Sequence, residues 1–326
     1  MRVLSLFDGI SCGQLALHRA GIPIDVYYAS EIDKNAIAIT QKNFPNTIQL
    51  GDITKIDFTQ FIGKIDLIMG GSPCQDLSIA GNRKGLSGER SGLFYKFVEA
   101  IEVIKPKYYL LENNFGMPQE AYEEMSQLMG CYPIVINSAL VSAQNRKRFY
   151  WFNFGEKSYD IFGFPTCNIP QPKDKGILLK DIYISDPKLE RCDRRILKHA
   201  RKTKNYIQYD ISGKGYNSNS CRLYFLDGKS CTVSKCRTES HHNILLDEND
   251  WSKYKIISPV EAERLQTIPD NYTNCVSKTA RFEAIGNGWT VDVIAYIFGF
   301  LKNKEQSKRT TAIAVLNEYN KQQEEK

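Results

Sequence analysis

A cysteine in a glycine-rich loop is the first residue of this sequence that could carry out chemistry. Cys74 follows a proline in the run Gly70 to Gln75, directly after an apolar segment typical of a buried strand. A constrained, accessible thiol of this kind is suited to act as a nucleophile. Glu112 ends another apolar segment, and Arg146 and Arg148 stand at the start of a third. Brought to one sheet edge, these groups would suit covalent catalysis on an electron-poor ring.

Three further loops place small or acidic residues directly after predicted strands. They contain Phe7-Asp8-Gly9-Ile10, Glu31-Ile32 and Asp52-Ile53. In an open parallel sheet, ligands bind beyond the carboxyl ends of the strands. Glu31 is therefore placed to accept hydrogen bonds from a ribose diol and Asp52 to hold an adenine amino group, which predicts a nucleoside-bearing cofactor. The first loop has neither the dinucleotide glycine pattern nor a Walker lysine, so pyrophosphate binding is poorly supported.

The elements that must position these loops alternate along the first 154 residues. Short apolar runs and amphipathic stretches follow one another, a pattern typical of an α/β fold with a mostly parallel, doubly wound sheet. The predicted helices are Gly13–Ala20, Lys34–Asn43, Leu93–Ile104 and Glu120–Met129. The predicted strands are Arg2–Phe7, Val26–Ser30, Thr47–Gln49, Ile65–Met69, Tyr108–Glu112, Pro133–Asn137 and Arg148–Asn153.

The sequence changes character after residue 154. Glycines and prolines punctuate 155–254, which predicts a second, smaller, loop-rich domain. Regular structure returns at Ser258, because Pro259 at the first helical position and Glu261 three residues after the cap predict a helix start. Residues 255–302, ending in an apolar helix from Val291 to Leu301, are expected to rejoin the domain of residues 1–154. Residues 303–326 read as a polar tail.

Composition limits the class of protein. The chain of 326 residues is 42% hydrophobic and 25% charged, typical of a soluble globular protein. We expect no membrane span and, because the N-terminus reads as a strand, no signal peptide. The nine cysteines follow no disulfide framework, so we expect reduced thiols and a cytoplasmic location.

The positive charge is concentrated in one segment. The whole chain has a net charge of +6, while residues 155–254 alone hold 18 basic and 13 acidic residues. From Lys188 to Arg237 there are 13 basic and 4 acidic residues. This segment is a plausible electrostatic footprint for nucleic acid.

Taken in order, the motifs resemble those of the DNA (cytosine-5)-methyltransferases. The resemblance extends over residues 2 to 301 and favours a compact bacterial or phage enzyme, with Gly70–Leu86 and Gly286–Val291 closer to the animal de novo branch. It implies a Rossmann-like class I methyltransferase domain and a smaller target-recognition domain. The motifs are Phe7-Asp8-Gly9, Gly71-Ser72-Pro73-Cys74-Gln75, Glu112-Asn113, Gln144-Asn145-Arg146-Lys147-Arg148, Glu263-Arg264-Leu265-Gln266-Thr267-Ile268-Pro269 and Gly286-Asn287-Gly288.

The resemblance implies S-adenosylmethionine as the cofactor and S-adenosylhomocysteine as its product. Phe7 would stack on adenine, Glu31 would bind the ribose, and Asp52 with Ile53 would meet the adenine edge. The remaining implied cofactor residues are Asp8, Gly9, Ile10, Ile32, Leu93, Asn287 and Trp289.

The resemblance also implies a mechanism. The Cys74 thiolate would attack C6 of a cytosine extruded from the duplex, so that C5 becomes nucleophilic. Glu112 would hydrogen-bond N3 and N4 of the base, Arg148 would contact O2, and Arg146 would support the site. The loop Asp76–Ser91, with basic Arg83 and Lys84, could close over the base.

Target recognition in this family lies where the charge is concentrated here. We therefore expect double-stranded DNA as the partner, with the basic side chains mainly on phosphates and the protein acting as a monomer. We expect base-edge readers within Lys229–His242. The candidate phosphate contacts are Arg191, Arg194, Arg195, Lys198, Arg201, Lys202 and Lys204.

Alternatives remain open from the sequence. A transfer-RNA cytosine methyltransferase shares the catalytic motifs but normally carries a Cys-Phe-Thr signature, which is absent here. A catalytically inactive DNA-binding accessory protein is a third reading, and a cognate restriction endonuclease is a possible partner. Asn114 stands where the family usually has Val. Cys231, Cys236, His241 and His242, with Cys221 nearby, have poor spacing for zinc, so no metal is expected.

Overall fold

A computed structural model describes residues 1–73, 93–198, 200–210, 221–234 and 242–301. Seven strands of the first 152 residues form one sheet, in the order β3-β2-β1-β4-β5-β7-β6 when numbered along the chain. Their bounds are β1 (Arg2–Leu6), β2 (Val26–Ser30), β3 (Ile48–Gln49), β4 (Leu67–Gly71), β5 (Tyr108–Asn114), β6 (Ile134–Asn137) and β7 (Lys147–Phe152). The described helices are α1 (Cys12–Arg19), α2 (Lys34–Asn43), α3 (Leu93–Ile104), α4 (Gln119–Met129), α5 (Leu179–Ile182), α6 (Arg195–Lys198), α7 (Pro259–Leu265), α8 (Lys278–Asn287) and α9 (291–301).

The seven-stranded sheet is covered on both faces, as the sequence predicts. Strands β1 to β5 pair in parallel, and β7 runs antiparallel to both β5 and β6. Neighbouring residues of β1 enter different cores: Val3 packs with Ile294 of α9, whereas Leu4 packs with Phe97 of α3. This alternation buries apolar side chains on both faces. The predicted α/β, doubly wound fold is confirmed.

A second sheet occupies the punctuated segment. Its six strands have the order β10-β15-β14-β13-β12-β11, and a separate hairpin pairs β8 with β9. Most of these strands have only three or four residues, too few for a periodic pattern to emerge from the sequence. Their bounds are β8 (Glu156–Tyr159), β9 (Pro165–Asn168), β10 (Glu190–Cys192), β11 (Ala200–Lys202), β12 (Tyr206–Tyr209), β13 (Arg222–Tyr224), β14 (Asn243–Leu245) and β15 (Lys253–Ile256).

The chain crosses this second sheet between β10 and β11, which are its two outermost described strands. Helix α6 lies on that crossing. Its Ile196 is fully buried against Ile207, Leu223 and Leu245. The basic segment therefore packs over one face of the sheet with an apolar anchor beneath it.

The C-terminal helices return to the first sheet. Ser258 and Glu261 form the predicted capping box, because the Ser258 Oγ accepts from the Glu261 N–H and the Glu261 carboxylate accepts from the Ser258 N–H. The stretch Lys278–Leu301 is long and apolar enough to cross a membrane by length and composition, with a window of mean hydropathy 1.3. Its α9 part is instead a core helix here, since Val291, Ile294 and Phe298 are fully buried.

Candidate active site and nucleic-acid interface

The carboxyl ends of the central strands lie at one edge of the first sheet. Leu6 of β1 is in register with Ser30 of β2 and Gly70 of β4, and Gly71 is in register with Glu112 of β5. The loops that follow these positions are the ones that the sequence singled out. The topology therefore gathers the predicted cofactor residues and Glu112 along a single edge.

The loop after β1 has an unusual backbone. Phe7 and Ser11 have φ values of 58° and 56°, in the left-handed region that non-glycine residues rarely adopt, and Gly9 has φ +60°. A methyl group built on Gly9 would meet no atom of the described residues within 4 Å, so these residues leave the loop open at this point. Such backbone conformations concentrate at binding and catalytic sites.

Asp8 ties this loop to β2. Its carboxyl group accepts hydrogen bonds from the Tyr27 hydroxyl at 2.6 Å and from the Ser11 hydroxyl. Burial raises the pKa of Asp8 to about 6, although these hydrogen bonds lower it. The Asp8 carboxyl group thus fixes the loop to Tyr27 of β2 through hydrogen bonds.

The Glu31 carboxylate is held by backbone donors. One oxygen accepts from the Gly9 N–H at 2.8 Å, and the other accepts from the N–H groups of Ile32 and Asp33, each at 2.8 Å. The side chain is thereby fixed beside the first loop. Ile32 is 73% exposed, so its side chain lies open at the same edge.

Asp52 begins a short 3-10 helix at Ile53–Lys55. One Asp52 oxygen accepts from the N–H and the hydroxyl of Thr54 at 2.9 and 2.8 Å, and these bonds lower the pKa of Asp52. Ile53 is buried in the core. The Ser30 hydroxyl donates to the Gly51 carbonyl at 2.7 Å, which joins the second and third loops.

Glu112 is held at both of its carboxylate oxygens. Arg148 Nε lies 2.9 Å from one oxygen, and the indole Nε1 of Trp289 donates to the other at 3.1 Å. The residue is 9% exposed. The neighbouring Asn113 amide donates to the Ser72 hydroxyl at 3.0 Å, which fixes the start of the loop that carries Cys74. The structure therefore brings Glu112 and Arg148 together at this edge of the sheet.

Several predicted residues lie outside the described part of the chain. These are the nucleophile Cys74, with Arg83 and Lys84 of the loop Asp76–Ser91. The last described residue before them is Pro73, two positions after the end of β4.

The polar residue in place of the family's usual Val makes only long contacts. The Asn114 side-chain oxygen accepts from Arg148 Nη1 at 3.5 Å and from the Gly116 N–H at 3.4 Å. Both distances exceed the usual range for N–H···O bonds. Asn114 therefore contributes little to holding the Arg148 side chain in place.

Arg146 contacts backbone carbonyl groups, whereas Arg148 contacts the Glu112 carboxylate. Its guanidinium donates to the carbonyl of Val233 at 2.7 Å and to that of Gly288 at 2.9 Å, and the residue is 4% exposed. It joins the loop before β7 to the second sheet region and to the segment between α8 and α9.

Gln144 and Gln266 form a buried hydrogen-bond network that meets Arg146 at the Gly288 carbonyl, and the sequence did not predict it. The Gln144 amide donates to the Leu265 carbonyl at 2.6 Å and to the Gln266 side chain at 2.8 Å. Gln266 in turn donates to the Gly288 carbonyl at 3.0 Å. Gln144 and Gln266 are both fully buried. In the sequence, only their positions in the motifs Gln144–Arg148 and Glu263–Pro269 indicated that these glutamines matter.

The remaining predicted cofactor residues lie on two helices and the turn beyond one of them. Leu93 begins α3 and is half-buried, Asn287 ends α8 and is exposed, and Trp289 follows it with its indole directed at Glu112. Ile10 is fully buried behind the first loop.

Comparison with known proteins accounts for this arrangement. The family model for C-5 cytosine-specific DNA methylases matches residues 1–303. The chain belongs to this family.

Two relatives are similar to this methylase over most of both chains. It is 34% identical to the type II methyltransferase M.NgoPII of Neisseria gonorrhoeae, over 93% of this chain and 95% of the relative. It is 30% identical to the type II methyltransferase M1.ScrFI of Lactococcus lactis subsp. cremoris, over 94% and 80%. The crystal structure of S. pombe Dnmt2 methyltransferase has the same fold, with a TM-score of 0.68 at 20% identity over 93% of this chain and 99% of that one.

The candidate DNA contacts between residues 191 and 204 of the methylase are all exposed, whereas the candidates Arg83 and Lys84 lie outside the described residues. Arg195 forms an ion pair with Asp193 at 2.6 Å, and Lys202 lies 3.5 Å from Glu248. Arg201 donates to the Gln208 side chain at 3.0 Å. The exposed candidates are Arg191, Arg194, Arg195, Lys198, Arg201, Lys202 and Lys204.

Cys231 and His242 are the two members of the candidate zinc cluster that the structure describes. Cys231 Sγ lies 3.6 Å from His242 Nδ1, while Cys236 and His241 fall outside the described residues. Burial is the largest single influence and acts to raise the pKa of Cys231, but the adjacent His242 together with hydrogen bonds to Tyr224 and Ser230 outweighs it and lowers the pKa to about 7. Across the described ranges, no group of three or more His, Cys, Asp or Glu side chains is placed to hold a metal ion.

Proposed function

We propose that this methylase transfers a methyl group from S-adenosylmethionine to C5 of cytosine within a specific double-stranded DNA sequence, through a covalent bond between Cys74 and C6 of a flipped base. The observation that carries the proposal is that Arg148 and Trp289 each hold one carboxylate oxygen of Glu112. Glu112 lies at the same sheet edge as the loop that contains Glu31. Family membership supplies the reaction class.

The chemistry of the loops fits the cofactor. Glu31 offers a fixed carboxylate to a ribose diol, Asp52 an acceptor to an adenine amino group, and Phe7 a ring to the adenine face. The open space above Gly9 leaves room for a ligand to approach the backbone. When bound, the cofactor supplies an electrophilic methyl group on a sulfonium, and the acidic loops suit its positive charge.

The reaction needs a nucleophile and a charge-stabilising acid. Cytosine C5 is a poor nucleophile, and addition of the Cys74 thiolate at C6 converts C5 into the nucleophilic carbon of an enamine. Glu112 holds N3 and N4 of the base where charge develops, and Arg148 contacts O2. After transfer, a base removes the C5 proton and the Cys74 thiolate leaves, which restores the C5–C6 double bond.

We assign the regions of the chain accordingly. Residues 1–154 and 255–302 would form the catalytic and cofactor-binding domain, and residues 155–254 the target-recognition domain. Support comes from the two separate sheets and from the exposed basic residues of 188–204. The enzyme would act in the cytoplasm as a monomer on DNA, and the relatives' type II names favour a cognate restriction endonuclease in the same cell.

The test is transfer of tritium from methyl-labelled S-adenosylmethionine to nucleic acid. Duplex DNA should be labelled by the wild-type chain and not by Cys74→Ala, whereas Cys275→Ala, which changes an exposed cysteine, should retain activity. Label on transfer RNA with none on DNA would favour the transfer-RNA alternative and refute the proposal. Sequencing the methylated cytosines would then identify the target, and sites without shared flanking bases would contradict a specificity domain at 155–254.

A further inference from the structure

The indole of Trp289 lies between the first loop region and Glu112. Its Nε1 is 3.1 Å from Glu112 Oε2, while Arg148 holds Oε1. The glutamate is thus fixed by two donors on different elements: Arg148 belongs to β7, and Trp289 follows α8.

Two glycines make room for this indole. A methyl group built on Gly71 would lie 3.0 Å from both Glu112 Oε2 and Trp289 Nε1. One built on Gly13 would lie 3.2 Å from Cζ3 of the same ring and under 3 Å from the Met69 thioether. The space between α1 and the end of β4 is therefore filled by Trp289, with its N–H directed at the carboxylate.

We propose that Trp289 is a positioning residue that sets the plane of the Glu112 carboxylate for base binding, a role that rests on the proposed function. The terminal torsion of glutamate is broad, so one donor alone leaves the carboxylate plane loosely defined. A second donor, on the opposite oxygen, fixes that plane before the base arrives. Preorganisation of this kind contributes to transition-state stabilisation.

This role can be separated from any contact between Trp289 and the cofactor. Addition of the Cys74 thiolate to C6 requires Glu112 but not S-adenosylmethionine. In the adduct, C5 takes a proton from water and then releases its original hydrogen, after which the thiolate leaves. With tritium at C5, each cycle replaces C–T by C–H and delivers tritium to water. This exchange, run without cofactor, therefore reports on the base-binding site, which includes Cys74 and Glu112, and receives no contribution from a contact between Trp289 and the cofactor.

The experiment measures tritium release from duplex DNA that contains [5-³H]cytosine, in the absence of S-adenosylmethionine. Trp289→Phe keeps an aromatic ring but removes the N–H donor, and we expect about a tenfold slower exchange, as is typical for loss of a hydrogen bond to a charged group. The matched control is Trp151→Phe, which also loses a buried indole hydrogen bond, at 3.2 Å to the Ser126 hydroxyl. Trp151→Phe should exchange at the wild-type rate.

A second variant tests the same geometry without removing the indole. Gly71→Ala should push Glu112 and Trp289 apart and slow exchange, whereas Gly299→Ala, where an added methyl meets no atom of the described residues within 4 Å, should not. Gly71→Ala also keeps the test decisive if circular dichroism shows that Trp289→Phe fails to fold.

The outcomes separate the two proposals. Wild-type exchange with slow Trp289→Phe and Gly71→Ala variants supports the positioning role. Exchange by both variants at the wild-type rate overturns it and leaves the proposed function intact. A wild-type chain that neither exchanges tritium nor methylates DNA overturns the proposed function, and the positioning role with it.

Discussion

Lys255 and Glu261 form a fully buried ion pair where the second sheet meets the C-terminal helices. Lys255 lies on β15 and Glu261 on α7, both side chains are 0% exposed, and Lys255 Nζ is 2.6 Å from Glu261 Oε1. Removing one partner of such a pair typically costs about 3–5 kcal/mol, because the other charge is left buried without compensation. We predict that substitution here will destabilise the fold strongly.

The surroundings of the pair predict which substitution costs more. In Lys255→Met, Glu261 keeps hydrogen bonds from the Ser258 N–H and hydroxyl and from the Ile184 N–H, at 2.7 to 2.9 Å. In Glu261→Leu, the Lys255 ammonium is left with the Tyr183 ring at 5.1 Å. The backbone N–H groups of Ile184 and Ser258 also lose their acceptor. Glu261→Leu should therefore lie near the upper end of the range of about 3–5 kcal/mol and Lys255→Met near the lower end.

Urea unfolding followed by circular dichroism measures these costs. Lys253→Met is the matched control, because Lys253 is on the same strand but pairs with Asp250 at the surface, where such pairs contribute about 0–1 kcal/mol. The double variant Lys255→Met/Glu261→Leu should be more stable than Glu261→Leu alone. If Lys255→Met costs no more than Lys253→Met, or the double variant shows the plain sum of the two losses, the reasoning is refuted.

Three further predictions concern the binding surfaces. Because burial raises the pKa of Asp8 from 3.8 to about 6, wild-type stability should lose about 3 kcal/mol as the pH rises through that interval. Asp8→Asn should remove this loss, so that unfolding at about pH 4 and pH 8 differs less in the variant; an unchanged pH dependence would contradict the raised pKa. Asn114→Val should change kcat/KM by less than about fivefold, because the contact with Arg148 is long; steady-state methylation measures this, and a larger loss would assign Asn114 a role in the site. Neutralising Arg194 and Lys198 together should weaken DNA binding and flatten the slope of log K against log salt by about 0.9 per lost phosphate contact. Fluorescence anisotropy at several salt concentrations checks the slope, and an unchanged slope would remove these residues from the DNA interface.

The strand ends were the most predictable part of the molecule. Apolar runs of five or six residues identified the strands around Phe7, Glu31 and Glu112, and parallel topology then places their carboxyl ends together. The cofactor loops could therefore be located before any contact was known. The boundary of β4 was predicted two residues early, because Gly70 and Gly71 read as a turn and instead continue the strand.

Contacts between distant segments could not be predicted from local patterns. Arg146 gives no sign in the sequence that it will donate to carbonyl groups near residues 233 and 288. Lys255 is a charged residue in a short strand, and only its packing against Glu261 explains its complete burial. The sheet of residues 190–256 was likewise hidden, since three- and four-residue strands depend on neighbours that are remote along the chain.

Helix α9 has a consequence for the order in which the protein can fold. Its Val291, Ile294 and Phe298 complete the same core as Val3 and Ile10. During synthesis, the ribosome therefore releases the first strands, the whole basic segment and the second sheet before it supplies the helix that covers one face of β1. Until then the nascent chain exposes an apolar sheet face, a condition that favours aggregation or chaperone binding. That face can be fully buried only after residues 291–301 have been synthesised, so the basic segment of residues 188–237 is complete before the core on that face of the first sheet can pack.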